Sequence, residues 1–187
     1  MRVLSVGNSY GDDRVGGYER MWHAVVCELR RRGHEVRVLA PPQLRWYWHE
    51  HRWPLRLKLA APWIERHNRR VFADAARDAD VVSFWSMGGL SMSLLAHRPA
   101  IAFIHDPWPE YGPIQDPLFR RGRELDLPPA FWVSEFTRRG RPGEVLHSGY
   151  DEQMFTPAAP RPEWSGRLLL PGRVDPRKGH RAALAAF

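Results

Sequence analysis

With 187 residues, 43% of them hydrophobic and 26% charged, the chain has room for one full domain and at most part of another, and its composition excludes disorder, collagen-like repeats and coiled coil. No apolar run approaches the roughly 18 to 20 residues of a membrane span, and the opening MRVLSVGNSY is too short and polar for a signal peptide, so the expected location is the cytoplasm. The net charge is +7, but residues 43–70 alone hold seven cations against Glu50 and Glu65, a net +5, which points to a local anion-facing patch rather than a uniformly basic nucleic-acid binder.

In chain order, Val3 to Gly7 is an apolar run closed by glycine, and Tyr18, Met21, Trp22, Val25, Val26 and Leu29 then recur at helical spacing. Arg30, Arg31 and Arg32 suit the negative end of that helix and Gly33 its C-terminal cap, before a strand through Val36, Val38 and Ala40. The first unit is therefore βαβ. A helix from about Ile64 to Arg77 leads to a strand over 80–84, and a short helix near Leu90 to Ala96 leads to a strand over 100–104. Two further apolar runs, 130–133 and 145–147, follow at α/β intervals, so the expected fold class is α/β, a doubly wound parallel Rossmann-like sheet. Residues 156–165, TPAAPRPEWS, carry three prolines and no apolar periodicity, as an interdomain linker does. This divides the chain into a domain over 1–155, the linker, and a segment over 166–187 with one strand and one Ala-rich helix, an incomplete second α/β domain. The single Cys27 can form no internal disulfide and is expected in the core.

Ligands of such sheets sit at the carboxyl ends of the strands, which here carry Gly7 to Gly17, Trp85 to Gly89, His105-Asp106, Ser134-Glu135 and Gly149. The glycines of the first loop match neither a dinucleotide fingerprint nor a P-loop, which disfavours a nicotinamide enzyme. Gly16 and Gly17, immediately before a helix, either form a tight turn or leave backbone amides open to an anion or a sugar hydroxyl. His105 ends an apolar strand, where its imidazole is either structural or positioned for hydrogen bonding, polarisation or proton transfer; Asp106 beside it could equally cap a helix. Gly172 to Gly179 places Arg173, Arg177 and Lys178 between a strand and a helix, a combination suited to a diphosphate, against the alternative of a solvated loop. In the basic segment, Arg45, Trp46, Trp48, Arg52, Trp53 and Arg56 interleave cations with aromatics, either packing under a surface loop or meeting an anionic surface, lipid or single-stranded nucleic acid. His49 and His51 lack a convincing third ligand nearby, so no metal site is assigned.

Taken in order, MRVLSVGNSYGDDRVGGYER, RRRGHEVRVLA, FIHDPW, WVSEFTRRG with VLHSGYDEQMFTP, and LLLPGRVDPRKGH resemble successive motifs of GT-B glycosyltransferases of the family 4 type, and the resemblance spans the whole chain. It implies a transferase that moves a sugar from a nucleotide diphosphate-sugar to a carbohydrate, lipid-linked or small-molecule acceptor, with retention at the anomeric carbon and no required metal or other cofactor. It also implies roles: Gly16, Gly17 and Asp106 line the cleft on the acceptor side, His105 contacts the donor sugar near the reacting centre, and Arg173 and Lys178 hold the diphosphate. Members of the family carry paired glutamates in the second domain, and the chain ends before that region. Glu144 and Glu152 share the spacing but precede the linker and are not carried over. The expectation is an N-terminal fragment with little or no transfer activity alone, and a basic segment that brings it to the inner face of an anionic membrane. The competing reading is a non-catalytic sugar- or nucleic-acid-binding module of the same fold, with nucleic acid disfavoured because no basic recognition helix, RNP-like aromatic motif or zinc pattern is visible.

Overall fold

A computed structural model describes residues 1–10, 16–47, 54–119, 124–149, 156, 159, 163, 166, 169 and 179–186, without the side chains of 54–57. The chain forms two compact units, Met1–Gly149 and Tyr150–Phe187. Among the described residues of the second unit the regular element is a helix, His180–Ala186. The expected linker and the strand at 167–170 lie largely outside the described residues.

The first unit is built on six strands: β1 (Arg2–Val6), β2 (Glu35–Leu39), β3 (Val81–Phe84), β4 (Ala100–Ile104), β5 (Ala130–Trp132) and β6 (Glu144–Val145). They lie in the order β2-β1-β3-β4-β5-β6, and every pairing is parallel. Parallel neighbours require crossovers, and these are α1 (Gly17–Arg31), α2 (Pro54–Ala76), a 3₁₀ turn (Met92–Ala96), α3 (Trp108–Gln115) and α4 (Glu135–Arg138). The α/β class and the Rossmann-like arrangement are as the sequence predicts.

Side-chain alternation along the strands divides the packing into two layers. Leu4, Val6, Phe84, Ala102 and Ile104 join one buried cluster with Phe72 of α2 and Trp108 of α3. Val3 joins the other, with Trp22 and Val26 of α1, Val36 and Trp85. Ser5 faces this second layer, where it accepts a hydrogen bond from Trp22 Nε1 at 2.7 Å and another from the Ser83 hydroxyl at 3.0 Å. The polar strand residues are thus satisfied inside the aromatic layer, as burial demands.

α1 ends as expected at Gly33, whose φ of 84° is the left-handed conformation glycine tolerates best. The Gly33 N–H bonds Arg30 O and the His34 N–H bonds Leu29 O, the paired closure of a Schellman motif. Four expectations need correction. α2 starts at Pro54 rather than near Ile64 and carries Pro62 in its interior; buried Ala61 and Ile64, packed with Tyr47, hold that turn although proline removes a rung. The expected helix at 90–96 is a 3₁₀ turn, a form suited to so short a segment. α3 and α4 have no counterpart in the periodicity, α3 because Pro109, Gly112 and Pro113 mask it. Cys27 is exposed, not in the core, with its Sγ 3.4 Å from His23 Nε2.

Candidate active site

Strand order reverses between β1 and β3, the usual ligand position in this architecture. Backbone bonds hold the two loops together. Trp85 N–H donates to Val6 O and Asn8 N–H to Ser86 O, both at 2.8 Å. The Asn8 side-chain amide adds bonds to Ser86 Oγ at 3.1 Å and Gly88 O at 3.0 Å. From α1, Tyr18 reaches the same point, its hydroxyl accepting the Ser86 N–H at 2.9 Å. Burial pushes the Tyr18 phenol well above its ordinary value, so it stays protonated.

Two glycines make this crowding feasible. A Cβ on Gly7 would lie 2.8 Å from the Trp22 ring and from the Tyr18 hydroxyl, and one on Gly88 would run into the Tyr111 ring. The aromatic layer beneath is a row of near-parallel rings: Trp22 on Trp85 at 5.9 Å, Trp85 on Phe103 at 4.6 Å and Phe103 on Phe131 at 5.4 Å between centroids. Such offset stacks fix ring orientation as well as burying area.

His105 extends β4 onto this layer. Its ring lies 5.4 Å from Trp85 at an interplanar angle of 6°, and 6.0 Å from Tyr18. The residue is half-buried, and its Nε2 is buried with no hydrogen-bond partner among the described residues. Burial lowers the imidazole pKa below its ordinary 6.5, and the opposing effect of the Asp106 charge is smaller, so the ring is neutral at neutral pH. It can then offer one donor and one acceptor, according to tautomer.

Asp106 does not cap α3: the N-cap residue is Pro107, without a side-chain cap bond. Its Oδ2 instead accepts the Tyr111 hydroxyl at 2.6 Å, while Oδ1 is buried and has no partner among the described residues. Burial and the adjacent carboxylate both raise the Tyr111 phenol, which therefore remains the donor of that bond. A carboxylate oxygen and an imidazole nitrogen on consecutive residues thus both lack a hydrogen-bond partner among the described residues. An unpaired buried polar atom costs about 1–3 kcal/mol.

The other candidate residues are distributed differently. Gly16 is the N-cap residue of α1 and Gly17 its first residue. A Cβ on Gly16 would collide with the Glu19 carboxylate, whereas one on Gly17 would meet nothing. Arg45 is not loose: its backbone N–H and C=O are both bonded to the Asn68 amide, at 2.7 and 2.9 Å, and its guanidinium lies 4.5 Å over the Trp63 ring. Trp46 is half-buried and packed against the α2-side core. Trp48, Arg52, Trp53, Arg173 and Lys178 lie outside the described residues, as does the side chain of Arg56. Among the described residues no three His, Cys, Asp or Glu side chains gather as a metal ion would need, and no helix is long and apolar enough to cross a membrane. Sequence reasoning missed Tyr111, five residues beyond Asp106, and the part played by Tyr18, which periodicity presents only as an apolar helix position.

A family model, Glycosyltransferase Family 4, matches residues 15–142. The chain belongs to glycosyltransferase family 4. The matched stretch contains Gly16, Gly17, Arg45, His105, Asp106 and Tyr111, so both unsatisfied atoms lie inside the family 4 domain, and glycosyl transfer in general terms is the activity this membership supports. Comparisons with curated proteins and with solved structures returned no match.

Proposed function

We propose that this family 4 domain serves a retaining transfer of a sugar from a nucleotide diphosphate-sugar to an acceptor hydroxyl. The bond between the anomeric carbon and the diphosphate breaks, a bond to the acceptor oxygen forms on the same face of the sugar, and the acceptor's proton is released. His105 is the residue we assign nearest the reacting sugar, with Asp106 accepting a hydroxyl of sugar or acceptor and Gly17 lining the acceptor side. Arg173 and Lys178, by their chemistry as residues, are assigned to the diphosphate, where fixed cations stabilise the leaving group without a metal. The observation that carries this reading is that His105 Nε2 and Asp106 Oδ1, at the carboxyl end of β4 and within the stretch the family model matches, have no hydrogen-bond partner among the described residues.

The test uses the intact protein with a panel of nucleotide-sugars and acceptors. Nucleoside diphosphate release and the anomeric configuration of the product are followed by NMR. His105→Ala should lower turnover about 100-fold, the low end of what a positioned proton-transfer or polarising group contributes. Unchanged turnover in that variant would remove His105 from the site, and a product of inverted configuration would overturn retention.

A further inference from the structure

α2 carries a surface that the transfer chemistry leaves unused. Its inward face is accounted for by buried Ala61, Ile64, Asn68, Phe72 and Ala76. On its outward face Leu59 is 75% and Trp63 56% exposed, large apolar side chains one helical turn apart. Arg66 and Arg70 continue the same stripe at helical spacing, and Lys58 and Arg69 flank it, all four exposed. None of these four cations is held by a carboxylate among the described residues. The nearby Glu65 is turned away from the stripe, accepting bonds from Tyr47 and Ser93.

We infer that the outward stripe of α2 docks on an anionic lipid bilayer, lying in the plane of its interface. Three features select this occupant. Trp63 and Leu59 are the side chains that favour the boundary of headgroup and acyl chain, and Trp63 is braced there by Arg45 at 4.5 Å and by stacking on His67 at 5.9 Å. The cations beside them carry no internal counter-charge, which complements anionic headgroups. The surface is a single helix face, suited to a flat boundary rather than to reading bases, which would call for a groove or a stacking platform. The inference does not depend on the assignment of His105.

Co-sedimentation of the intact protein with phosphatidylcholine vesicles, with and without phosphatidylglycerol, tests it. Binding is expected only to the anionic vesicles and should weaken as salt is raised. Replacing Arg66, Arg69 and Arg70 together by Gln should weaken it on the order of 100-fold, at roughly fivefold per cation near the surface. Leu59→Ser with Trp63→Ser should weaken it at least about tenfold. These side chains are exposed, so an unchanged melting temperature is expected to accompany both losses. Equal binding to neutral vesicles, no binding to anionic ones, insensitivity to both variants, or a preference for single-stranded DNA over anionic vesicles in competition would each overturn the inference.

Discussion

Asn68 and His105 both place polar atoms against buried apolar packing, and the protein treats them in opposite ways. Around Asn68 everything is paired: its amide holds Arg45 through N–H and C=O and donates to Ser91 at 3.0 Å, Tyr47 bonds Glu65 and Ser91, and Asp116 accepts the Met92 and Leu118 N–H groups. Around His105 the pairing stops one step short, leaving Nε2 and Asp106 Oδ1 without partners among the described residues. The first arrangement ties a loop to α2 and leaves nothing for a ligand to add. The second leaves hydrogen-bonding capacity unused.

The largest effect that would break this contrast is in the closed network. Asn68→Ala removes three bonds at a fully buried position and should cost about 3–4 kcal/mol of stability, near 10 °C in melting temperature, with turnover per folded molecule unchanged. Calorimetry beside an activity assay decides it, and a loss of turnover without unfolding would merge the two regions. Gly7→Ala should come next, since its methyl would press on Trp22 and Tyr18: about 2 kcal/mol by denaturant titration, with turnover falling as Tyr18 moves. Tyr111→Phe sharpens the comparison from the other side. Releasing Asp106 should lower kcat/KM about tenfold while stability falls by only about 1 kcal/mol, and an equal effect on Asp106→Asn would show that the tyrosine does not act through the carboxylate.

The smallest effect is in pH. Because the folded imidazole has a lowered pKa, the unfolded chain takes up the proton first as pH falls. The stability associated with neutral His105 is therefore complete above the ordinary 6.5 and declines as pH drops through the lowered folded value. His105→Gln should remove that part of the slope between mildly acidic and neutral pH, measured by unfolding at several pH values. A slope identical in wild type and variant would place the ring in solvent.

Much of the fold is legible in the residues. The apolar runs at Val3, Val81 and Ala100 are buried on both faces, which local composition records, and Gly33 closes α1 through a backbone conformation few other residues accept. The start of α2 is not legible: proline at positions 54 and 62 signals interruption, and only packing of Ala61 and Ile64 against Tyr47 overrides it. The site is half legible. A histidine at the end of an apolar strand is visible in FIHDPW, whereas Tyr111 sits in a helix whose prolines erase any period, and Tyr18 looks like an ordinary core-facing aromatic.

By itself the sequence determined the parallel α/β class, the register of alternation that sends His105 to the α1 side of the sheet, and the motif order shared with family 4, because these depend on local pattern and chain order. Tertiary structure alone decided which polar atoms are completed and which are left open, and which face of α2 remains uncovered. Those properties depend on what distant segments bring within about 3 Å, and no local pattern records that distance.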